Sequence, residues 1–280
     1  NYTEFHEFVL AGFSNVPQIQ YLLFLAFLCI FKISLLSHMF IILLYRFSPN
    51  LHTPMYFFLA NFSFLEMFYL STVVPKMLMN LLSEHKTITF YGCAIQMNCF
   101  LTVASAECFM LAAMAYDRYN AICHPLLYSN IMKRTICIWM VFGCWFIGST
   151  NGVLQTKFIF SLYFCRSNKI NNFYCDIPPL LNLACNKTLL NEILMLMFTF
   201  IIVIVPLSFI VISYTKIIWT IVKHHKTGMR KKAFSTCTSH LIVVSLSAGS
   251  AIIMYLRPSQ VMVWMKRSFY PLYILLFLLQ

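Results

Sequence analysis

Asp117, Arg118 and Tyr119 set an acid, a base and a phenol side by side in the string Met114-Ala-Tyr-Asp-Arg-Tyr-Asn-Ala-Ile-Cys123. The string closes a long apolar run. Charges are costly inside a bilayer, so a charged cluster at the rim of such a run invites two readings. In one, Arg118 snorkels to lipid headgroups and Asp117 neutralises it. In the other, the pair is a conformational latch facing water. Two further carboxylates, Glu66 and Glu107, fall deep within apolar runs. Glu107 precedes Asp117 by ten residues, about 15 Å along a helix. Glu66 follows Pro54 by twelve residues, about 18 Å by the same rise. His38 precedes Arg46 by eight residues, about 12 Å. Similar depths let Glu66, Glu107 and His38 form one polar cluster. Its chemistry is a protonated, hydrogen-bonded patch that helps helices pack, or a sodium-like cation site. A transition-metal site using His38 is a third option. No helix carries a metal-ligand motif. Ser235, Cys237 and His240 lack a partner acid for nucleophilic catalysis, so no enzyme is expected.

These groups need membrane helices to position them. The 280 residues are 60% hydrophobic and 10% charged, with 28 phenylalanines. A soluble domain carries roughly 25% charged residues, so composition implies an integral membrane protein. A helix needs about 20 apolar residues to cross the hydrocarbon. That rule predicts spans over 21–45, 54–82, 93–119, 136–156, 192–222 and 233–256, then a short apolar piece over 268–280. An N-terminal tail, 1–20, precedes the spans, and 21–280 form one membrane domain. The longest connection is 157–191. No internal repeat of the transporter kind appears.

The net charge of +12 does not point to nucleic acid, because it is concentrated. Lys216, Lys223, Lys226, Arg230, Lys231 and Lys232 crowd one interval free of Asp and Glu. A basic stretch such as 223–232 reads as a cytoplasmic loop near anionic lipid. Arg46, Lys133 and Arg134 fall in connections on that same side. The opposite side then holds two glycosylation sequons, Asn1-Tyr2-Thr3 and Asn186-Lys187-Thr188. Asn61-Phe62-Ser63 also matches but lies within a span. Cys93, Cys165, Cys175 and Cys185 share the outer side, where four cysteines allow three pairings. The other seven read as buried free thiols. The opening Asn1-Tyr2-Thr3-Glu4 shows no cleavable signal peptide, so the first span is expected to direct its own insertion.

Two further strings carry a family resemblance. Leu51-His-Thr-Pro-Met-Tyr56 opens the second span, and Lys232-Ala-Phe-Ser-Thr-Cys-Thr-Ser-His-Leu241 opens the sixth. With the Met114 string, they resemble the signatures of the olfactory receptors, rhodopsin-like G-protein-coupled receptors. Phe8-Val-Leu-Ala-Gly-Phe13 and Tyr174-Cys-Asp-Ile-Pro-Pro-Leu180 fit the same family, in its tetrapod-type class. The resemblance implies an all-α membrane protein, a seven-transmembrane helix bundle whose seventh span is short and atypical. It implies small hydrophobic odorants as ligands, and a stimulatory olfactory-type G protein that raises cyclic AMP. It places the chain in the plasma membrane with its N-terminus outside. Asp117 would restrain Arg118, next to Tyr119, until agonist frees it, and Tyr214 would stabilise the open state. The pocket would use Phe100, Leu101, Ala104, Ser105, Phe198, Thr199, Ile202, Ala251, Ile252 and Tyr255. Disulfides would join Cys93 to Cys175 and Cys165 to Cys185. A sodium ion at Glu66 and Glu107 also follows from the family.

The chain departs from the family pattern in several places. Ser37-His38 replaces a Gly-Asn pair, Asn172 replaces a histidine, and Ser247-Ala248-Gly249 replaces Phe-Tyr-Gly. No Asn-Pro-x-x-Tyr string follows Pro258, so 268–280 is expected to be an incomplete seventh span. The alternatives to a signalling receptor are a non-signalling remnant and, from another class, a transporter or channel.

Overall fold

The computed structural model describes residues 6–10, 17–165, 167–170, 172–186, 189–224 and 237–249. Among them, five helical segments are long and apolar enough to cross a membrane. These are α1 (Pro17–Phe47), α2 (Pro54–Leu82), α3 (Phe90–Cys123), α5 (Arg134–Phe160) and the stretch Ile193–Lys223. That last stretch joins α7 (Leu189–Thr199), a π turn (Phe200–Ile204) and α8 (Val205–His224). Short helices α4 (Tyr128–Ile131) and α6 (Ile177–Leu183) lie in connections. An apolar helix, α9, covers Cys237–Gly249. The span expected over 268–280 lies outside the described residues.

Two of the long helical segments carry a proline inside them, Pro75 and Pro206, and the backbone adjusts to each. Pro75 inside α2 has no N–H for the Ser71 carbonyl. The Ser71 and Thr72 hydroxyls bond back to the Met67 and Phe68 carbonyls at 2.7 and 2.8 Å. The π turn ends just before Pro206, where a missing N–H favours a wider ladder.

The chain forms two compact units. The first comprises 1–39, 64–106 and 145–195. In it α3 and α5 pack closely because α5 has glycines one turn apart. A Cβ at Gly148 would meet the Thr102 carbonyl and Ala106, and one at Gly152 would meet Thr102 Oγ1 and the Asn98 carbonyl. The same unit holds a three-stranded sheet in the order β2-β1-β3. Strand β1 (Glu7–Leu10) pairs antiparallel with β2 (Thr87–Thr89) and parallel with β3 (Lys169–Ile170). Phe8 and Leu10 point inward and are buried. Phe8 stands edge-on to Phe164 at 5.5 Å and stacks with Phe90 at 6.0 Å. Within the N-terminal tail, Glu7–Leu10 is thus part of a sheet. Burying each of those two side chains contributes about 1.5–3 kcal/mol, which holds a strand too short to announce itself.

The second unit comprises 40–63, 107–144 and 196–280. Tyr45 at the end of α1 meets His52 and Phe57 at 5.2 and 6.2 Å. Tyr116 of α3 meets Phe209 of α8 at 6.3 Å. Ile217 and Ile221 of α8 are fully buried. This packing positions the charged end of α3.

Candidate functional site

The end of α3 carries the Asp117 carboxylate into the second unit, where it is 1% exposed. A buried carboxylate needs partners. Arg118 Nε stands 3.9 Å from Asp117 Oδ2. The closer partner is Tyr128, whose hydroxyl donates to Asp117 Oδ1 at 2.8 Å. Helix α4 exists for one turn, and that turn delivers Tyr128. Burial pushes the Tyr128 phenol well above its usual range, and its hydrogen bond to Asp117 and that group's charge push it further. The phenol therefore stays a donor at any physiological pH. Next along α3, Tyr119 shares a 3.2 Å hydrogen bond with His124 Nε2. Lys216 of α8 lies over the Tyr119 ring, 5.8 Å from its centroid. Cys123 donates to Thr220 Oγ1 across 3.4 Å, a second tie between α3 and α8.

Tyr214 of α8 is buried and points at α9. Its hydroxyl and His240 Nδ1 are 2.9 Å apart, and the two rings stack at 5.5 Å. The second unit thus gathers three of the sequence-predicted latch residues, Asp117, Arg118 and Tyr119, and holds Tyr214 on His240. Sequence reasoning missed Tyr128 and His240 as partners. Tyr128 sits in a connection, and no spacing rule ties it to a residue on the preceding helix. His240 lies in the string that opens the sixth span, but only the fold sets it on Tyr214.

In the first unit, Cys93 is bridged to Cys175 and Cys165 to Cys185, with Cα separations of 5.4 and 5.9 Å. One turn after Cys93, Gln96 strengthens the tie between α3 and the long connection. Its Oε1 accepts from the Cys175 N–H at 3.0 Å, and its Nε2 donates to the Thr72 carbonyl of α2 at 3.4 Å. Tyr174 then packs on Phe100 at 5.3 Å, and Phe100 on Tyr69 at 5.8 Å. Leu101 is buried and Ala104 half-buried. Ser105 ends a polar chain. Gln155 Nε2 donates to Asn151 Oδ1, Asn151 Nδ2 to Ser105 Oγ, and Ser105 Oγ to the Leu101 carbonyl, at 2.8, 2.7 and 2.6 Å. The Ser105 hydroxyl proton is therefore committed within α3. Gln96, Asn151 and Gln155 were not singled out from the sequence. A polar residue facing inward on an apolar helix is the signal that would have found them.

Glu66 and His38 are buried in the first unit, and Glu66 Oε1 and His38 Nδ1 have no hydrogen-bond partner among the described residues. Glu107 is buried in the second unit. Among the described residues, no group of three His, Cys, Asp or Glu is arranged to hold a metal ion. Phe198, Thr199 and Ile202 are half-buried around the π turn. Asn186 is exposed, and its Oδ1 accepts from the Tyr163 N–H at 2.9 Å. Ala251, Ile252, Tyr255 and Asn1 lie outside the described residues.

Residues 37–279 match the family described as 7 transmembrane receptor (rhodopsin family). Olfactory receptor 5I1 of Homo sapiens is 46% identical over 259 residues, covering 92% of this chain and 82% of the relative. Olfactory receptor 10A7 of Homo sapiens is 46% identical over 258 residues, with the same two coverages. Olfactory receptor-like protein OLF1 of Canis lupus familiaris is 45% identical over 259 residues, covering 92% and 83%.

Proposed function

The chain belongs to the rhodopsin family of seven-transmembrane receptors, and within it to the olfactory receptors, and on that premise we propose that it binds small hydrophobic odorants and, when occupied, activates a stimulatory olfactory-type G protein that raises cyclic AMP. The family is one of multi-pass membrane receptors, not enzymes. The observation that carries the proposal is the tied end of α3. Asp117 is held by Tyr128 at 2.8 Å and faces Arg118 at 3.9 Å, while Tyr214 is held by His240 at 2.9 Å. Each tie is reversible and each engages a group with a second role. On opening, Arg118 leaves Asp117 and meets the G protein. Tyr214 leaves His240 and supports the freed guanidinium. Ligand binding drives this only by its differential affinity for the open state.

The odorant site is assigned to Phe100, Leu101, Ala104, Phe198, Thr199 and Ile202, with Ser105, Ala251, Ile252 and Tyr255 completing it. Apolar walls with few polar groups suit compact, hydrophobic ligands. The family resemblance implies a resting-state sodium ion at Glu66 and Glu107; Glu66 supports this because its Oε1 has no donor among the described residues, and a buried, unpaired carboxylate oxygen is costly. The plasma membrane with the N-terminus outside is the proposed setting. Two disulfides support an oxidising side for residues 93, 165, 175 and 185. The cation-rich interval from Lys216 to Lys232 supports a cytoplasmic face opposite.

The test is cyclic-AMP accumulation in transfected cells challenged with aliphatic alcohols, aldehydes, ketones, esters and simple aromatics. The expected result is a dose-dependent rise with at least one compound, abolished by Arg118→Ala at equal surface display. A surface-displayed chain silent to the whole panel would contradict the signalling reading.

A further inference from the structure

Lys32 stands where a charge is costly, and neither the latch nor the assigned odorant residues use it. It is the central residue of α1, Pro17–Phe47, with fifteen residues on either side. Gln20 precedes it by twelve residues and Arg46 follows by fourteen, about 18 and 21 Å along the helix. The residue is exposed, and at that depth in a bilayer an exposed residue meets hydrocarbon. Among the described residues Lys32 makes no ion pair. The hydrocarbon core is about 30 Å thick, so a central residue lies about 15 Å from either rim, farther than a four-carbon stem carries its ammonium. Ionisable groups within spans almost always pair or face a polar path.

The face around Lys32 has the form of a helix-packing stripe. Leu22, Leu25, Cys29, Lys32 and Leu36 are all exposed and follow at steps of three, four, three and four residues, which sets them along one side of a helix. The buried residues of α1 are Phe27, Ser34 and His38. Ser34 is two residues from Lys32, about 200° around the helix, so the stripe is the side that the described residues leave uncovered. Three sources of a counter-charge fail. No Asp or Glu occurs from residue 193 to residue 280, so the last stretch of the chain carries none. Glu66, Glu107 and Asp117 are each buried, and a two-fold pair of copies through this stripe would set Lys32 against Lys32. Anionic lipid headgroups lie at the rims, too far from this depth.

We propose that the exposed stripe of α1 docks a transmembrane helix of another protein, one that carries an Asp or Glu at mid-membrane depth. That carboxylate pairs with the Lys32 ammonium, and Leu25 and Leu36 on either side pack against the partner's apolar residues. Helix association in lipid has little hydrophobic drive of its own. Pairing takes an isolated charge out of hydrocarbon on both helices at once, and that sets the choice of partner.

The probe is a single-span helix of about 20 leucines with a central Glu and a Cys three residues to either side of it, co-expressed with the full-length chain. Cys29, the one exposed free thiol among the described residues, lies three residues before Lys32. It traps the pair as a disulfide when copper phenanthroline oxidises the membranes. The expected yield is at least fivefold above that of matched helices with Leu or Gln in place of the Glu. It should vanish in Cys29→Ser, which maps it to this face. Lys32→Leu should lower the Glu-helix yield to the Leu-helix level, and Lys32→Glu should reverse the preference, so that a central-Lys helix crosslinks best. A Glu-helix yield no higher than that of the Leu helix, as a snorkelling lysine would give, or than that of the Gln helix, would overturn the proposal. So would a yield unchanged by Lys32→Leu, or a Cys29 disulfide between two copies of the chain as the main product. The readout is association and not cyclic AMP, so its failure is distinguishable from a failure to signal.

Discussion

On the proposed mechanism, Asp117 is the buried residue that sets the resting state. Among the described residues its carboxylate has two partners, and the uncharged one is closer: the Tyr128 hydroxyl stands at 2.8 Å, against 3.9 Å for Arg118 Nε. A hydrogen bond to a charged acceptor contributes roughly 1.5–3 kcal/mol. On the proposed mechanism, the longer ion pair restrains Arg118 without locking it, which suits a group that has to leave on activation. Tyr214 offers a second test at this scale. Its hydroxyl is engaged with His240 at rest and is proposed to support Arg118 when open. Tyr214→Phe keeps the stacked ring but removes both bonds. We expect the odorant-driven maximum of cyclic AMP to fall several-fold, with surface display unchanged. An unaltered maximum would remove Tyr214 from the mechanism. His240→Phe differs, because it frees the Tyr214 hydroxyl in the resting state only. Basal cyclic AMP should then rise, and a fall would contradict the assigned direction.

Elements are where the chain was most and least legible. The hydrocarbon thickness demands long apolar runs, so α2 begins and ends at the residues expected, 54 and 82, and α1, α3 and α5 each extend a few residues beyond the expected ends. Nothing comparable announces β1. Four residues with two inward side chains make a faint alternation, and its nearest partner in sequence is far away, Thr87 against Val9. The bonds Tyr128–Asp117 and Gln96–Cys175 were hidden for a related reason. Each joins a helix to a connection, and connections have no periodicity to read. The α3–α5 seam yields a prediction at this scale. A Cβ at Gly152 would sit 2.8 Å from the Asn98 carbonyl, while one at Gly143 would meet nothing within 4 Å. Gly152→Val should lose about 1–3 kcal/mol or more from overpacking, read as a large drop in surface display by flow cytometry. Gly143→Ala should display normally. Equal display of the two variants would show that the seam is looser than described. Gln96→Leu should leave the disulfides intact yet raise the odorant concentration needed for half-maximal response, because the Cys175 backbone loses its acceptor. Gln96→Glu keeps an acceptor and should restore part of the response.

The whole molecule comprises a disulfide-braced unit and a charged, tied one, and five helical segments among the described residues are long and apolar enough to cross a membrane. Its orientation is open to a direct check. Asn186→Gln should remove one glycan, seen as a mobility shift lost on glycosidase treatment. An unshifted parent chain would argue against an outer position for that loop. The resemblance carried by three strings reached the family, and the comparisons agree with it over 92% of the chain. The strings name residues but not distances, so the hydrogen bonds of Tyr128 with Asp117 and of Tyr214 with His240 emerged only from the fold. The central claim is that the resting state is held by Tyr128 on Asp117. The most direct test is basal cyclic AMP of Tyr128→Phe against the parent chain, at matched surface display and without odorant. Leaving the Asp117 oxygen without its donor costs about 1–3 kcal/mol, which is roughly 5- to 150-fold in a two-state equilibrium. The account predicts basal cyclic AMP raised at least several-fold, and returned to background by adding Arg118→Ala. Basal cyclic AMP equal to that of the parent chain, or a rise that persists without Arg118, would contradict it.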